Sequence, residues 1–257
     1  MGELYALVSG GGSPGVTTAA IALALSWPAP AIVAECDPSG GDILAGLLSG
    51  HVAARHGLME HAIEAGRGAE AAAASLSAQL IPLDNGRTRL VLPGLTDPRQ
   101  AAGLASAWPA VAATLAAQPA DVIADCGRLD AGQGQPLAVL SAARTVAIVL
   151  RPTLRQVWSA LPRVQMLSEL LDDKARLTLL LTGPGTRSAR EIAHALSVPV
   201  SAVLPADTRT ASLLSDGLGG QRQLGSGSLM RSARAAARAL RDHATVTGGQ
   251  AAGAGVI

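Results

Sequence analysis

Residues 1–26 read as one unit. An apolar run, Leu4–Ser9, leads into the turn Gly10-Gly11-Gly12-Ser13-Pro14-Gly15, which opens directly onto a helical stretch, Val16–Ser26. The run is apolar almost throughout, so it belongs inside a sheet covered on both faces, and the helix is its first cover. The glycines let the backbone turn its N–H groups inward, and the helix N-terminus adds positive potential. Together they form a setting for a bound phosphate. The spacing G-x-x-x-x-G-x-T is met by Gly10, Gly15 and Thr17. In loops of that spacing Thr17 holds Mg2+, and Thr18 lies near the inner phosphates. The lysine that ordinarily follows the second glycine is missing, because Val16 stands there. A charge-assisted contact of that kind is worth roughly 1.5–3 kcal/mol.

The rest of the chain continues the alternation. Strands are expected at 31–36, 121–125, Thr145–Leu150, 177–181 and 198–203. Helices are expected at 42–48, 97–118 with a kink at Pro109, 136–142, 154–172, 187–196 and 228–243. Residues 57–79 are Ala-rich and read as two short helices broken at Gly66 and Gly68, while 80–83 and 88–92 flank a hairpin turn, Asp84-Asn85-Gly86-Arg87. Strands alternating with helices imply a parallel sheet with helices on both faces. Residues 244–257 are Gly/Ala-rich and are expected to form a loose tail.

Composition excludes several functions. Three Trp, one Tyr and no Phe among 257 residues leave no base-stacking platform for single-stranded nucleic acid. Cys36 and Cys126 cannot build a disulfide framework or a CxxC metal site, which fits a cytoplasmic protein. The apolar stretch 16–34 contains Pro28 and Pro30 and lacks a basic leader, so neither a signal peptide nor a membrane span is expected. No Ser-His-Asp order or paired carboxylates point to a hydrolase. His51, His56 and His61 are five apart. That spacing scatters them around a helix, and they read as surface residues, not as a metal site. Charge is uneven: residues 1–150 carry a net of −5 and residues 151–257 a net of +6. Lysine is nearly absent, Lys174 being the single one. The missing loop lysine is therefore not replaced from nearby.

From these residues the chain resembles the MinD/ParA group of P-loop ATPases, over roughly residues 3–243. That group carries a loop of the pattern K-G-G-x-G-K-T-T. Aligned on Gly15, the pattern falls on Gly11-Gly12-Ser13-Pro14-Gly15-Val16-Thr17-Thr18, so both lysine positions, Gly11 and Val16, are lost. Asp37, in Glu35-Cys36-Asp37-Pro38, matches the carboxylate that positions the attacking water. Glu35 replaces the first Asp of the family's Asp-x-Asp pattern and makes a weaker candidate metal ligand. Asp125 matches the acid that holds Mg2+ through a water, and Cys126-Gly127-Arg128 would begin the second switch. Thr182 stands where the family often has an adenine-reading Asn, and Pro205 lies in the loop that packs against the base.

The resemblance implies one α/β domain over residues 1–243, with a mostly parallel twisted sheet of about seven or eight strands and helices on both faces. It implies ATP or ADP with Mg2+ as ligands, held weakly, and a homodimer with a protein partner. Because the lysine that reaches across such dimers is gone, a dimer of this chain is not expected to close through it. Arg128 or Arg151 are the candidates for replacement charge. Three functional readings stand: a positioning or scaffold protein with weak or absent ATPase activity; a nucleotide-dependent dimer switch with slow Mg-ATPase activity; and a DNA-binding partition factor. The last would use Arg231, Arg234, Arg238 and Arg241, spaced to share one face of the final helix. That helix lacks bulky apolar anchors, so membrane insertion is not expected.

Overall fold

The structure is a computed structural model and describes residues 1–49, 57–130, 132, 134–217 and 227–253. Among the described residues eight strands form one sheet in the order β3-β4-β2-β5-β1-β6-β7-β8. They are β1 (Leu4–Ser9), β2 (Ala31–Glu35), β3 (Ile81–Pro82), β4 (Arg89–Leu92), β5 (Asp121–Arg128), β6 (Thr145–Leu150), β7 (Leu177–Thr182) and β8 (Val200–Leu204). Every pairing is parallel except β3 with β4, the expected hairpin. Central strands β1, β2 and β6 are buried at every position.

The pleat of β1 sorts the core into two layers. Leu4, Ala6 and Val8 point to one face, where Trp108, Val111, Leu140, Ala160 and Leu167 cover them. Tyr5 and Leu7 point to the other, against Ala20, Leu23, Ala236 and Leu240. The helices are α1 (Val16–Ser26), α2 (Leu58–Ala65), α3 (Ala69–Gln79), α4 (Ala101–Leu104) and α5 (Trp108–Ala116). They continue with α6 (Leu137–Ala142), α7 (Leu154–Leu170), α8 (Ala189–Leu196), α9 (Thr208–Asp216) and α10 (Ser228–Gly253). Small residues bring α1 and α10 together: Ala20, Ala22 and Ala24 on one and Ala233, Ala236 and Ala237 on the other are fully buried. This packing holds α1, and with it the glycine-rich turn, rigidly on the sheet.

Several expectations are corrected. Residues 42–48 form turns, not a helix. Their hydrogen bonds close rings of different size, from the Gly46 amide to the Asp42 carbonyl (2.8 Å), from Leu48 to Ile43 (2.9 Å) and from Ser49 to Gly46 (2.8 Å). Tertiary contact sets this shape, since a Cβ on Gly46 would meet the Ser215 carbonyl oxygen at 1.9 Å. The expected 97–118 helix is split into a 3-10 turn, α4 and α5, and Pro109 sits in the first turn of α5, where a missing N–H costs nothing. Helix α9 was not expected, because its sequence is polar. Its signals were the cap Asp207, which accepts from the Thr210 amide (3.0 Å), and Gly217 at the far end. The last helix runs on past residue 243, with Ala244 and Thr247 buried on its packed face.

Candidate functional site

The turn after β1 lies flat on α7. A Cβ on Gly10 would stand 2.8 Å from the Ala160 Cα, and one on Gly12 would stand 2.9 Å from Gln156 Nε2. Gly12 and Gly15 also have φ of +66° and +91°, which side chains rarely adopt. Glycine is thus required both for the approach and for the turn. The first amides of α1 have no intrahelical acceptor. They head a cleft of about 600 Å³ lined by 12–18, Asp42, Ile43, Gly127, Arg128, Ser215 and Asp216. The loop candidates Gly12, Ser13, Pro14, Gly15, Val16, Thr17 and Thr18 therefore meet in one wall, while Gly10 and Gly11 border a smaller hollow beside Arg128, Arg155 and Arg163.

Val16 is 7% exposed and belongs to the apolar layer that holds Ile21 and Ile43. An apolar, largely buried side chain thus stands at the loop position where a lysine is ordinarily expected. Among the described residues lining the cleft, Arg128 is the one cation, ion-paired to Asp130 at 3.2 Å with its side chain 52% exposed. Arg151 stands on the other side of the loop and donates from Nη2 to the Ser13 carbonyl (3.4 Å).

The carboxylates divide the work. Asp125 is buried within β5, accepts from the Gly127 amide (3.0 Å) and is hydrogen-bonded to the Thr17 hydroxyl. Burial pushes its carboxyl up to about 6, and the nearby Asp37 and Asp42 charges push the same way. A divalent cation would remove that penalty, and hydroxyl and carboxylate oxygens are the hard donors that Mg2+ takes. Thr17 and Asp125 are therefore the residues that fit Mg2+, which would neutralise phosphate charge there. Glu35 faces away from the cleft. Its Oε1 accepts from the Asp42 (2.9 Å) and Ile43 (3.0 Å) amides and its Oε2 from the Gly94 amide (2.9 Å). It pins the turn at 42–43 to the sheet, and burial raises its carboxyl to about 7. Asp37 accepts from the Ser39 amide (2.7 Å) and stands against Gly127; it is not among the residues that line the cleft, although Gly127 is.

A second hollow of about 440 Å³ adjoins the loop from the side of β7 and β8, lined by Pro14, Thr18, Arg151, Thr182, Pro205 and Asp207 among others. Thr182 and Pro205 thus meet in one hollow. The Thr182 hydroxyl, however, donates to the Pro14 carbonyl (2.8 Å) in buried surroundings. Its hydrogen holds the loop and is not free for a ligand.

Two other expectations change. Arg231, Arg234 and Arg238 are exposed on α10, but Arg241 leaves the stripe to pair with Asp121 Oδ2 at 3.3 Å. Asp121 also accepts from Trp27 Nε1 (2.7 Å) and the Glu3 amide (2.8 Å), so Arg241 closes a knot at the far end of the sheet. His61 is fully buried on α2 and is not a surface residue. Its ring lies on the packed side of the helix with Leu58, Ala62 and Ala65. His51 and His56 fall outside the described residues. Cys36 and Cys126 are buried free thiols, and burial raises both well above the ordinary range. Sequence reasoning missed Asp42, Ser215 and Asp216 as cleft residues, the first because its segment read as a helix and the others because α9 did not.

Among the described residues no group of His, Cys, Asp and Glu forms a metal cluster, and no helix is long and apolar enough to cross a membrane. No protein-family model and no curated protein sequence matches the chain. Solved structures do. A ParA family ATPase from Chlorobium tepidum TLS superposes with TM-score 0.74 at 17% identity, over 92% of this chain and 98% of that one. The MinD cell division protein of Aquifex aeolicus gives 0.71 at 15% identity, over 93% and 97%. The septum site-determining protein MinD of Pyrococcus horikoshii OT3, solved with Mg-ADP, gives 0.65 at 17% identity, over 92% and 95%. The chain has the fold of the MinD and ParA ATPases.

Proposed function

We propose that this chain is a MinD/ParA-like positioning or scaffold protein whose cleft binds Mg-nucleotide weakly and hydrolyses it slowly or not at all. The observation that carries this reading is Val16, whose side chain is built into the apolar core at the loop position that the resemblance assigns to a lysine. Gly11 removes the second cation of the loop. Charge stabilisation dominates phosphoryl transfer, so loss of both cations weakens turnover more than it weakens binding. The backbone amides, Thr17 and Asp125 remain, and the MinD of Pyrococcus horikoshii carries Mg-ADP on a similar fold. These features support residual binding. Partner contacts, including a second copy of the chain, would then carry the function.

A second reading, a working nucleotide switch, is favoured by the Thr17–Asp125 hydrogen bond and by Arg128 at the cleft wall. Titration calorimetry with ATP, ADP and GTP in Mg2+, combined with phosphate-release assays on the same protein, separates the two. Weak heats with turnover at background support the scaffold. Turnover at the rate of the Chlorobium or Aquifex proteins, assayed in parallel, would remove it in favour of the switch.

A further inference from the structure

The glycine-rich turn has two sides. Residues 12–18 wall the cleft, while Gly10, Gly11 and Gly12 border a separate hollow of about 300 Å³ on the side of α7. Arg155, Gln156, Ser159 and Arg163 line that hollow, and none of them lines the cleft. Arg155, Ser159 and Arg163 stand at i, i+4 and i+8, so they form one ridge of α7. The turn is seated on this ridge, since a Cβ on Gly11 would stand 2.9 Å from Ser159 Oγ. Arg128 reaches the same hollow from the end of β5.

The donors that meet there lack acceptors. Gln156 is 6% exposed, and its Oε1 accepts from the Arg151 amide (2.9 Å). A backbone N–H needs an acceptor, so this bond fixes which end of the carboxamide is oxygen. The Nε2 end then lies over Gly12, where a Cβ would stand 2.9 Å away. Among the described residues Nε2 has no acceptor, although a buried amide is ordinarily paired. The Gly11 and Gly12 amides have none among them either. Ser159 Oγ is spent on the Gln156 carbonyl (3.1 Å).

The charges are also unbalanced. Arg128 Nε and Arg163 Nη2 share one oxygen, Asp130 Oδ1, each at 3.2 Å. Arg163 is further held by the Leu129 (3.1 Å) and Ser159 (3.3 Å) carbonyls, so it is a fixed strut. Arg155 is exposed and has no ion-pair partner among the described residues. Three guanidiniums against one carboxylate leave a net charge of +2. The complement is a compact dianion that offers acceptor oxygens in several directions. A phosphate carries close to two negative charges at neutral pH, and guanidinium forks match its oxygens. The hollow has half the volume of the cleft, which suits a phosphate with at most a short organic group.

We propose that this hollow is a second anion site, distinct from the cleft, that binds a phosphate dianion, free or on a small ester, through Arg155, Arg128 and Gln156 Nε2. It needs neither nucleotide nor Mg2+, so it stands or falls separately from the reading of the cleft.

Titration calorimetry on the full chain, in EDTA and at constant ionic strength, tests this with inorganic phosphate and with glycerol phosphate. The wild type is expected to bind, and the tighter of the two ligands tells a free from an esterified phosphate. Arg155→Ser is expected to weaken binding at least about tenfold, the loss of one charge-assisted contact. Arg151→Ser removes the same charge from the other side of the loop and is expected to leave binding unchanged. Gln156→Glu keeps an acceptor for the Arg151 amide, turns the donor end into an anion and is expected to abolish binding. Thermal melts without phosphate check folding. Arg155 and Arg151 are exposed, so that pair decides the matter should Q156E not fold. A wild type that gives no heat with either ligand overturns the proposal. So does R155S that binds as wild type does, an R151S loss equal to that of R155S, or a folded Q156E that still binds.

Discussion

The carboxylate of Asp37 rests on the α-carbon of Gly127, so close that a methyl group there would lie 2.0 Å from Asp37 Cγ. This contact adds to the β2–β5 ladder just beyond its last pair, Glu35 with Asp125, and Gly127 also has φ of +61°. Gly127→Ala would meet both obstacles. The left-handed conformation costs roughly 1–2 kcal/mol and the overpacking roughly 1–3 kcal/mol more. Denaturant unfolding of G127A, D37A and the double variant reads the two parts separately. The expected result is a positive coupling: D37A recovers the steric share of the G127A loss. Strict additivity would show that the two residues do not share this space.

Val16→Lys tests what the cleft lacks. The stem of a lysine can follow the apolar wall that Val16 now lines, with the ammonium in the cleft. One charge-assisted contact to phosphate raises Mg-nucleotide affinity by roughly tenfold to a hundredfold. Val16→Met has a similar length and no charge, and is expected to give no gain. Equal affinities for the two variants by calorimetry would mean that charge at this position is not what limits binding.

What could be read from the residues alone was whatever is set by local pattern. The glycine-rich turn, β1, α1 and β6 are legible because apolar periodicity and glycine spacing act within a few residues. The segment at 42–48 was not, because Glu35 takes the Asp42 and Ile43 amides and Ser215 crowds Gly46, contacts made across long stretches of chain. Helix α9 hid for the opposite reason: it is polar, and only its caps mark it. Asp125 was found by its place at a strand end, whereas the turn-pinning bonds of Glu35 and the loop-holding bond of Thr182 follow from the sheet order that brings them near their acceptors and donors.

Thr182→Val separates a structural role from a ligand-reading one. The hydroxyl hydrogen is committed to the Pro14 carbonyl at 2.8 Å. Valine keeps the shape and leaves that carbonyl buried without its donor, at a cost of roughly 1–3 kcal/mol. Thr182→Ser keeps the donor and is expected to lose less. Thermal melts without nucleotide are the measurement. A T182V melt indistinguishable from wild type would show that the loop does not depend on this bond.

Arg241→Ala sorts the basic stripe of α10. Arg241 is ion-paired to the buried Asp121, with its own side chain 43% exposed, which keeps the contribution near about 1 kcal/mol. Arg234→Ala and Arg238→Ala remove exposed side chains and are expected to change stability by less than about 0.5 kcal/mol. If DNA retention on a phosphate-backbone ligand falls in R234A and R238A while stability holds, those two serve binding. Equal destabilisation by all three would show that Arg241 has no special anchoring role.

His61 gives the fold a pH signature whose sign can be worked out. Burial lowers its imidazole to about 4, below the ordinary 6.5, and its ring nitrogens have no hydrogen-bond partner among the described residues. The unfolded chain therefore takes up a proton as pH falls below 6.5, while the folded chain stays neutral until about 4. Stability from His61 is complete above 6.5 and is lost between those values, by about 2 kcal/mol at about pH 5. Glu35, raised to about 7, and Asp125, raised to about 6, act in the opposite sense. They take up protons in the folded state first, so their contribution grows as pH falls from about 7 towards the ordinary carboxylate range. In the wild type the two trends oppose each other. His61→Leu removes one of them and also replaces an unsatisfied buried ring by an apolar side chain. The variant is expected to be more stable at about pH 5 than at about pH 8, with EDTA present, whereas the wild type shows a flatter profile. Parallel profiles for the two proteins would mean that His61 takes up its proton equally in the folded and unfolded chain, and that its burial carries no electrostatic cost.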